Sequence, residues 1–296
     1  MMLRKIKKIG VIAIVAMMVL TGCNGGNEQG SNQGSNQNDS QNGGNSNVVV
    51  SGKIQAGGST SVEKAAKSLL EEFVALNPSV TYEYDATGSS TGINNVIDGT
   101  YAIGYSSREL KDDEKSKVEY KNIALDGIAL AVNPNNSVKD LSLEQIRGIF
   151  TGEIKNWSEV GGKDANIVVV SRENGSGTRS AFEEISKVGD KLSQEAIIKS
   201  GNGEVAAYVA GEENAIGYVS FVTLEANKDK ISGLMVEGVE AKVENVQAGS
   251  YLLSRPFVMV YKTENLTEAD KAFMDFIFTE EGQNIIEEAG AIKVTQ

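Results

Sequence analysis

Apolar positions along the 296-residue chain change spacing repeatedly, and each change marks an element. Val49-Val50-Ser51-Gly52-Lys53-Ile54 reads as a strand, after which Val62, Ala66, Leu69, Leu70 and Phe73 form one helical stripe. Val80-Thr81-Tyr82-Glu83-Tyr84 alternates as a half-buried strand does and leads to the helix-like Ile93–Ile97. The β-branched run Val168, Val169, Val170 passes in the same manner into a helical Ser180–Ile185. Ile123–Val132 is a long apolar stretch interrupted by Asp126 and Gly127, suited to crossing between two halves of a molecule. Leu143–Phe150 suits a helix followed by a loop with Trp157 as a packing residue, and Ala215–Val219 a buried strand. Tyr251–Tyr261 reads as a return crossing, followed by helices over Thr267–Phe278 and Thr279–Ala289. Strands and helices that alternate without a repeat predict an α/β protein with largely parallel sheets.

The N-terminal pattern is of another kind. Arg4, Lys5, Lys7 and Lys8 precede a short apolar run, Ile9–Leu20, and then Leu20-Thr21-Gly22-Cys23. That order describes a secretory signal peptide over 1–22, too short for a comfortable membrane span. Its ending resembles a bacterial lipobox, which predicts a lipid on Cys23, the sole cysteine of the chain. Residues 24–47 hold only Asn, Gly, Gln, Ser and the acids Glu28 and Asp39, so with Cys23 they are expected to form a disordered tether. Such a tether has an r.m.s. reach of roughly 25–30 Å. The remaining Val48–Gln296 exceeds one typical core and is consistent with two lobes.

Charge narrows the function. The chain carries −12, and loss of the four basic signal residues would leave −16. A surface of that sign argues against nucleic acid and against general attraction of anions, so any anion needs a local, preorganised site. The chain has no histidine, which removes the usual general base and the commonest metal ligand. No cofactor or metal is expected.

Three strand-to-helix turns share one composition: Ala56-Gly57-Gly58-Ser59-Thr60-Ser61, Thr87-Gly88-Ser89-Ser90-Thr91-Gly92 and Arg172-Glu173-Asn174-Gly175-Ser176-Gly177-Thr178. First-turn N–H groups of a helix lack internal partners and sit at the positive end of its dipole. Glycines allow close approach, hydroxyls donate, and an arginine supplies a fixed cation, so three such turns together suggest one anion. Each turn also has a plain reading as a cap; Thr60 with Glu63, for instance, fits a capping box. Enzyme motifs fail on their companions. Gly88-Ser89-Ser90-Thr91-Gly92 fits a nucleophile elbow, but no histidine exists to serve it. Ser61-Val62-Glu63-Lys64 fits S-x-x-K without the partner motifs, and no phosphate loop of the G-x-x-x-x-G-K-[ST] type occurs. Catalysis is not expected.

Over essentially all of Val48–Gln296 the chain resembles the phosphate-binding lipoproteins of phosphate ABC transporters, the PstS family. The three turns carry the likeness, together with Ile128-Ala129-Leu130-Ala131-Val132-Asn133, Gly152-Glu153-Ile154-Lys155-Asn156-Trp157 and Asn214-Ala215-Ile216-Gly217-Tyr218-Val219. Arg172 with Gly175-Ser176-Gly177-Thr178 is its most specific part. The resemblance implies a two-lobed periplasmic-binding-protein fold, each lobe a mixed, largely parallel sheet flanked by helices and joined by two hinge strands. Lobe I would comprise 48–127 and 251–296, and lobe II 128–250. The implied function is capture of inorganic phosphate and delivery to a transporter permease by a lipid-anchored monomer outside the cytoplasm. The implied phosphate ligands are Thr60, Ser61, Ser89, Ser107, Arg172, Ser176, Gly177 and Thr178. Two departures stand out. Ser107 takes the place of an aspartate that accepts the phosphate proton in many relatives, and Asn174 that of an acid orienting the arginine, although Glu173 is adjacent. A binding protein for sulfate, molybdate or a phosphonate, and a surface adhesin or signalling lipoprotein on the same fold, are the alternative readings.

Overall fold

The computed structural model describes residues 49–294. The expected signal peptide, Cys23 and the tether lie outside the described residues. The first part runs β1 (Gly52–Gly58), α1 (Glu63–Leu76), β2 (Val80–Asp85), α2 (Ser89–Ile97), β3 (Ile103–Ser106) and the short α3 (Asp112–Lys115). β4 (Glu119–Val132) then leads into β5 (Asp140–Leu141), α4 (Leu143–Thr151), β6 (Val168–Arg172), α5 (Gly177–Ile185), β7 (Ile197–Lys199) and α6 (Asn202–Gly211). β8 (Ala215–Ser220), α7 (Phe221–Ala226), β9 (Ser232–Gly233), β10 (Met235–Val236) and α8 (Val243–Gln247) follow. β11 (Ser254–Tyr261) returns, and α9 (Glu268–Ile277), α10 (Glu280–Glu288) and β12 (Ile292–Lys293) close the described chain.

The main sheet has the order β2-β1-β3-β11-β4-β8-β6-β7. Its two flanks are parallel, β1 with β2 and β3, β6 with β7 and β8. Its middle is antiparallel, because β11 runs back between β3 and β4, and β8 pairs β4 in the opposite sense. The predicted parallel units therefore hold at both ends, and the two long crossings account for the antiparallel centre.

Burial follows the apolar stripes. In α1 the buried set is Ala65, Ala66, Leu69, Leu70 and Phe73, and Phe73 meets Phe273 of α9 with ring centroids 5.4 Å apart. Burial of Leu69, Leu70 and Phe73 contributes about 1.5–3 kcal/mol each, and that of the two alanines less. This core also takes Ile54, Ile103, Phe257 and Met259. A second core gathers Leu130, Ile149, Phe150, Trp157, Phe182, Ile216 and Tyr218, with the Phe182 and Tyr218 rings stacked at 4.2 Å. Trp157 is the packing residue its sequence setting predicts: it is buried, and its indole N–H donates to Asn214 O at 3.0 Å.

β4 feeds both cores, Ile123 and Ala124 into the first and Ile128–Val132 into the second. Beside it the return segment does the same, with Tyr251 and Leu253 in the second core and Phe257 and Met259 in the first. Ile128 N donates to Leu253 O at 2.7 Å, so the two crossings run side by side. Two register positions away, past the Gly127/Ser254 pair, Asp126 stands directly opposite Arg255.

Candidate anion-binding site

The Gly/Ser/Thr turns meet. Ser61 Oγ, just before α1, lies 2.7 Å from Thr178 Oγ1 in the first turn of α5. Ser89, which opens α2, accepts from Ser107 N at 3.1 Å, and its hydroxyl is 3.4 Å from that of Ser107. A Cβ on Gly177 would collide with the Ser89 hydroxyl and come within 2.8 Å of Ser107 Oγ, so the third turn needs a residue without a side chain. Ser90 N donates to Gly175 O at 3.1 Å, joining the second turn to the third. Ser61, Ser89, Ser107, Arg172, Ser176 and Thr178 are all buried, and Thr60 is half-buried.

Ordinary capping does not account for this. The Thr60–Glu63 box is not formed: α1 starts without a side-chain cap, and Glu63 pairs with Lys67 at 2.7 Å. α2 likewise has no side-chain cap, since Gly88 precedes it at φ 93°. Only α5 of the three is capped, by Ser176, whose oxygen accepts from Arg179 N. First-turn N–H groups have no intrahelical acceptor, and that of Ser90 reaches the third turn at Gly175 O.

The arginines are deployed unequally. Arg108 forks onto Glu114 at 2.7 and 2.8 Å, and Arg179 pairs with Glu183 at 2.6 Å. Arg172 is held along one edge only. Its Nε donates to Glu173 Oε2 and Lys199 O, and its Nη2 to Glu173 Oε1 and Ser200 O, at 2.9–3.2 Å. Its Nη1 is buried without a hydrogen-bond partner. Glu173 therefore orients this guanidinium, while Asn174 is exposed. A charged donor that is buried and unsatisfied is costly, which marks the place where an acceptor belongs.

Hydroxyl directions can be assigned by elimination. Ser61 Oγ accepts from Asn202 Nδ2 at 2.9 Å and from Arg255 Nη2 at 3.0 Å, two groups that can only donate. Both lone pairs are filled, so the Ser61 hydrogen goes to Thr178 Oγ1 and the Thr178 hydrogen remains to be donated. Ser59 Oγ accepts from Ser61 N and donates to Ser107 Oγ at 2.9 Å. The Ser107 hydrogen then has only the long contact to Ser89 within the protein.

Sequence reasoning did not single out Ser59, Asn202 or Arg255. Asn202, at the start of α6, also donates to Thr60 Oγ1 at 3.0 Å and accepts from Ser220 N. Ser59 lies inside the first recognised turn. Arg255 had a signal: a cation inside one apolar crossing, matched by Asp126 inside the other. Its Nε and Nη2 donate to Asp126 Oδ2 at 3.3 and 3.0 Å, and Phe221 N donates to Asp126 Oδ1. Burial raises the Asp126 carboxyl to about 6 against the opposing pull of Arg255. Burial also lowers the Arg255 guanidinium, which Asp126 counters. Among the described residues no group of three or more His, Cys, Asp or Glu could hold a metal ion, and no helix is long and apolar enough to cross a membrane.

Residues 29–281 match the PBP superfamily domain. The phosphate-binding protein PstS of Bacillus subtilis is 35% identical over 250 residues, covering 83% of this chain and 82% of that protein. A Clostridium perfringens substrate-binding protein assigned to phosphate ABC transport, solved with bound phosphate, is 48% identical with a TM-score of 0.80, covering 82% of this chain and 100% of that one. An ABC-type phosphate transport receptor from Vibrio cholerae is 30% identical with a TM-score of 0.69 at 82% and 100% coverage.

Proposed function

The chain belongs to the PBP superfamily and, within it, to the phosphate-binding PstS proteins, and from that premise we propose how it takes up its ligand. It is a substrate-binding protein that captures inorganic phosphate for an ABC transporter. Phosphate sits where the three turns meet. Arg172 Nη1 supplies a charge-assisted donor, the Thr178 and Ser107 hydroxyls supply neutral ones, and the first turns of α1, α2 and α5 supply N–H groups. Thr60, Ser61, Ser89, Ser176 and Gly177 form the wall. Hydrogen bonds to charged groups contribute about 1.5–3 kcal/mol each, enough in sum to offset desolvation of the anion. The observation that supports this most is the buried Arg172 Nη1, a fixed cation without an acceptor at the head of the third of the turns that meet.

Lobe I consists of 48–127 and 251–296, lobe II of 128–250, and the hinge is the pair of crossings around Asp126–Ile128 and Leu253–Arg255. Contacts such as Ser61–Thr178 and Ser90–Gly175 then belong to the closed clamp. The body works outside the cytoplasm as a monomer, lipid-anchored through Cys23 on the 24–47 tether, and passes phosphate to the transmembrane permease subunits. No catalytic role is proposed.

Calorimetric titration of the intact protein, stripped of bound anion, tests the reading. Phosphate should bind at one site and raise the unfolding temperature more than molybdate does. Absence of phosphate binding, with another oxyanion bound instead, would overturn it.

A further inference from the structure

Arg255 has no part in the site implied by the family resemblance, and it lies outside all three turns. It is nonetheless buried, and its Nη1, like that of Arg172, has no hydrogen-bond partner. Among the described residues two guanidinium groups share that condition, and they are neighbours: the Arg172 charge acts against protonation of Arg255. Like charges brought together out of water are unfavourable unless something negative lies between or beside them. Asp126 answers only part of this, because it engages Nε and Nη2 and leaves Nη1. Nη2 of the same guanidinium also donates to Ser61, whose hydrogen passes to Thr178.

We propose that Arg255 is a second guanidinium ligand of the bound anion, positioned by Asp126, and that the pair Arg172/Arg255 makes the site select the doubly charged form of the ligand. This rests on the phosphate reading above. Arg255 acts in two ways. Nη1 donates directly to an anion oxygen. Nη2 fills a lone pair of Ser61, which fixes the Ser61 hydrogen on Thr178 and turns the Thr178 hydroxyl into a donor, a polarised chain of the kind that strengthens each member. Asp126 is a positioning residue: its carboxylate holds Nε and Nη2, and Phe221 N at the start of α7 holds the carboxylate. The charged and titratable groups facing Arg255 are Asp126 on β4, Arg172 on β6 and Tyr218 on β8, with Tyr251 facing Asp126. Burial pushes the Tyr218 hydroxyl to about 12 and raises that of Tyr251, so both stay neutral in the range where phosphate changes charge.

The test is titration of inorganic phosphate into the intact, anion-stripped protein on both sides of the second ionisation of phosphate. Wild type, Arg255→Gln, Arg172→Gln and the double variant Asp126→Asn/Arg255→Gln are compared. The double variant leaves no uncompensated buried charge, so it isolates binding from folding. Both Arg255 variants should lose about tenfold or more in phosphate affinity, as expected when one partner of a buried charged contact is removed. They should also lose most of the wild-type preference for the dianion over the monoanion, a readout that a purely structural residue would leave alone. Phosphate affinity and pH profile unchanged in the folded double variant, while Arg172→Gln is weakened, would overturn the role of Arg255 and leave the phosphate reading intact. Absence of phosphate binding by wild type would overturn both.

Discussion

Two arginines in this protein reach the same condition by opposite routes. Arg172 stands at the end of β6, beside a Gly/Ser/Thr turn, and is oriented by its sequence neighbour Glu173, whose side chain is 31% exposed. Arg255 stands in an apolar strand and is oriented by Asp126, 0% exposed and brought opposite it by the β4/β11 register. Each arginine is tied down on Nε and Nη2 and keeps Nη1. The two acids therefore serve their arginines differently. Glu173 keeps contact with water, so its removal leaves a cation that solvent and two backbone carbonyls still partly satisfy. Asp126 has no such reserve, and its pair stands or falls as a unit.

The largest effect should come from Arg172 itself. Arg172→Ala removes the local cation from the ligand and should weaken phosphate binding by about 2–5 kcal/mol, well over tenfold, with the fold retained. Calorimetry of the variant reads this directly, and near-normal affinity would move the site elsewhere.

The buried pair has a second signature, in stability. The Asp126 carboxyl titrates at about 6 in the folded protein against an ordinary 3.8. A raised acid contributes stability that is complete below its unfolded value and lost as pH rises through the folded one. The anion-free protein should thus lose roughly 3 kcal/mol through this group between about pH 3 and pH 7, at 1.36 kcal/mol per unit. Denaturant midpoints at those two pH values should converge in Asp126→Asn relative to wild type. An identical pH slope in the variant would show that the pair is better compensated than its burial suggests.

Both nearby acids are committed to arginines, which leaves Ser107 to meet the ligand proton. A serine hydroxyl accepts or donates as required, so it offers little penalty against a fully deprotonated oxyanion, whereas a carboxylate repels one. Ser107→Asp should improve phosphate-over-sulfate selectivity by about tenfold and make phosphate binding fall at alkaline pH. Equal selectivity and an equal pH profile in both proteins would point to another proton acceptor. The smallest effect should belong to Glu173→Gln, about 1 kcal/mol in phosphate affinity, because the amide still accepts from Arg172 and the site is part-exposed. A loss as large as that of Arg172→Ala would erase the distinction between the two settings.

These contrasts also explain what was legible in the sequence. The crossings, the α1 stripe and the three turns are local patterns, and Ile123–Val132, Val62–Phe73 and Arg172–Thr178 carry them openly. Trp157 reads as packing from its residue type, since its chain neighbours Lys155, Asn156, Ser158 and Glu159 are polar and its apolar surroundings are tertiary. The Thr60–Glu63 box looked equally local yet did not form, since Thr60 and Ser61, just before α1, meet Asn202 and Thr178 instead. Arg255, Asn202 and Ser59 went unassigned because their partners are tertiary. Asp126 lies far along the chain from Arg255, and only strand register pairs them. A charge breaking each of two apolar crossings was the available signal, and it has a physical reading: such charges persist in a sheet core when they meet.

If one anion is held between the three turns by both free guanidinium nitrogens, a crystal structure of the protein with phosphate will show it. One phosphate within hydrogen-bond distance of Arg172 Nη1, Arg255 Nη1 and Thr178 Oγ1 is the predicted result. A phosphate bound elsewhere, or one that touches Arg172 while Arg255 Nη1 faces away from it, would contradict the account.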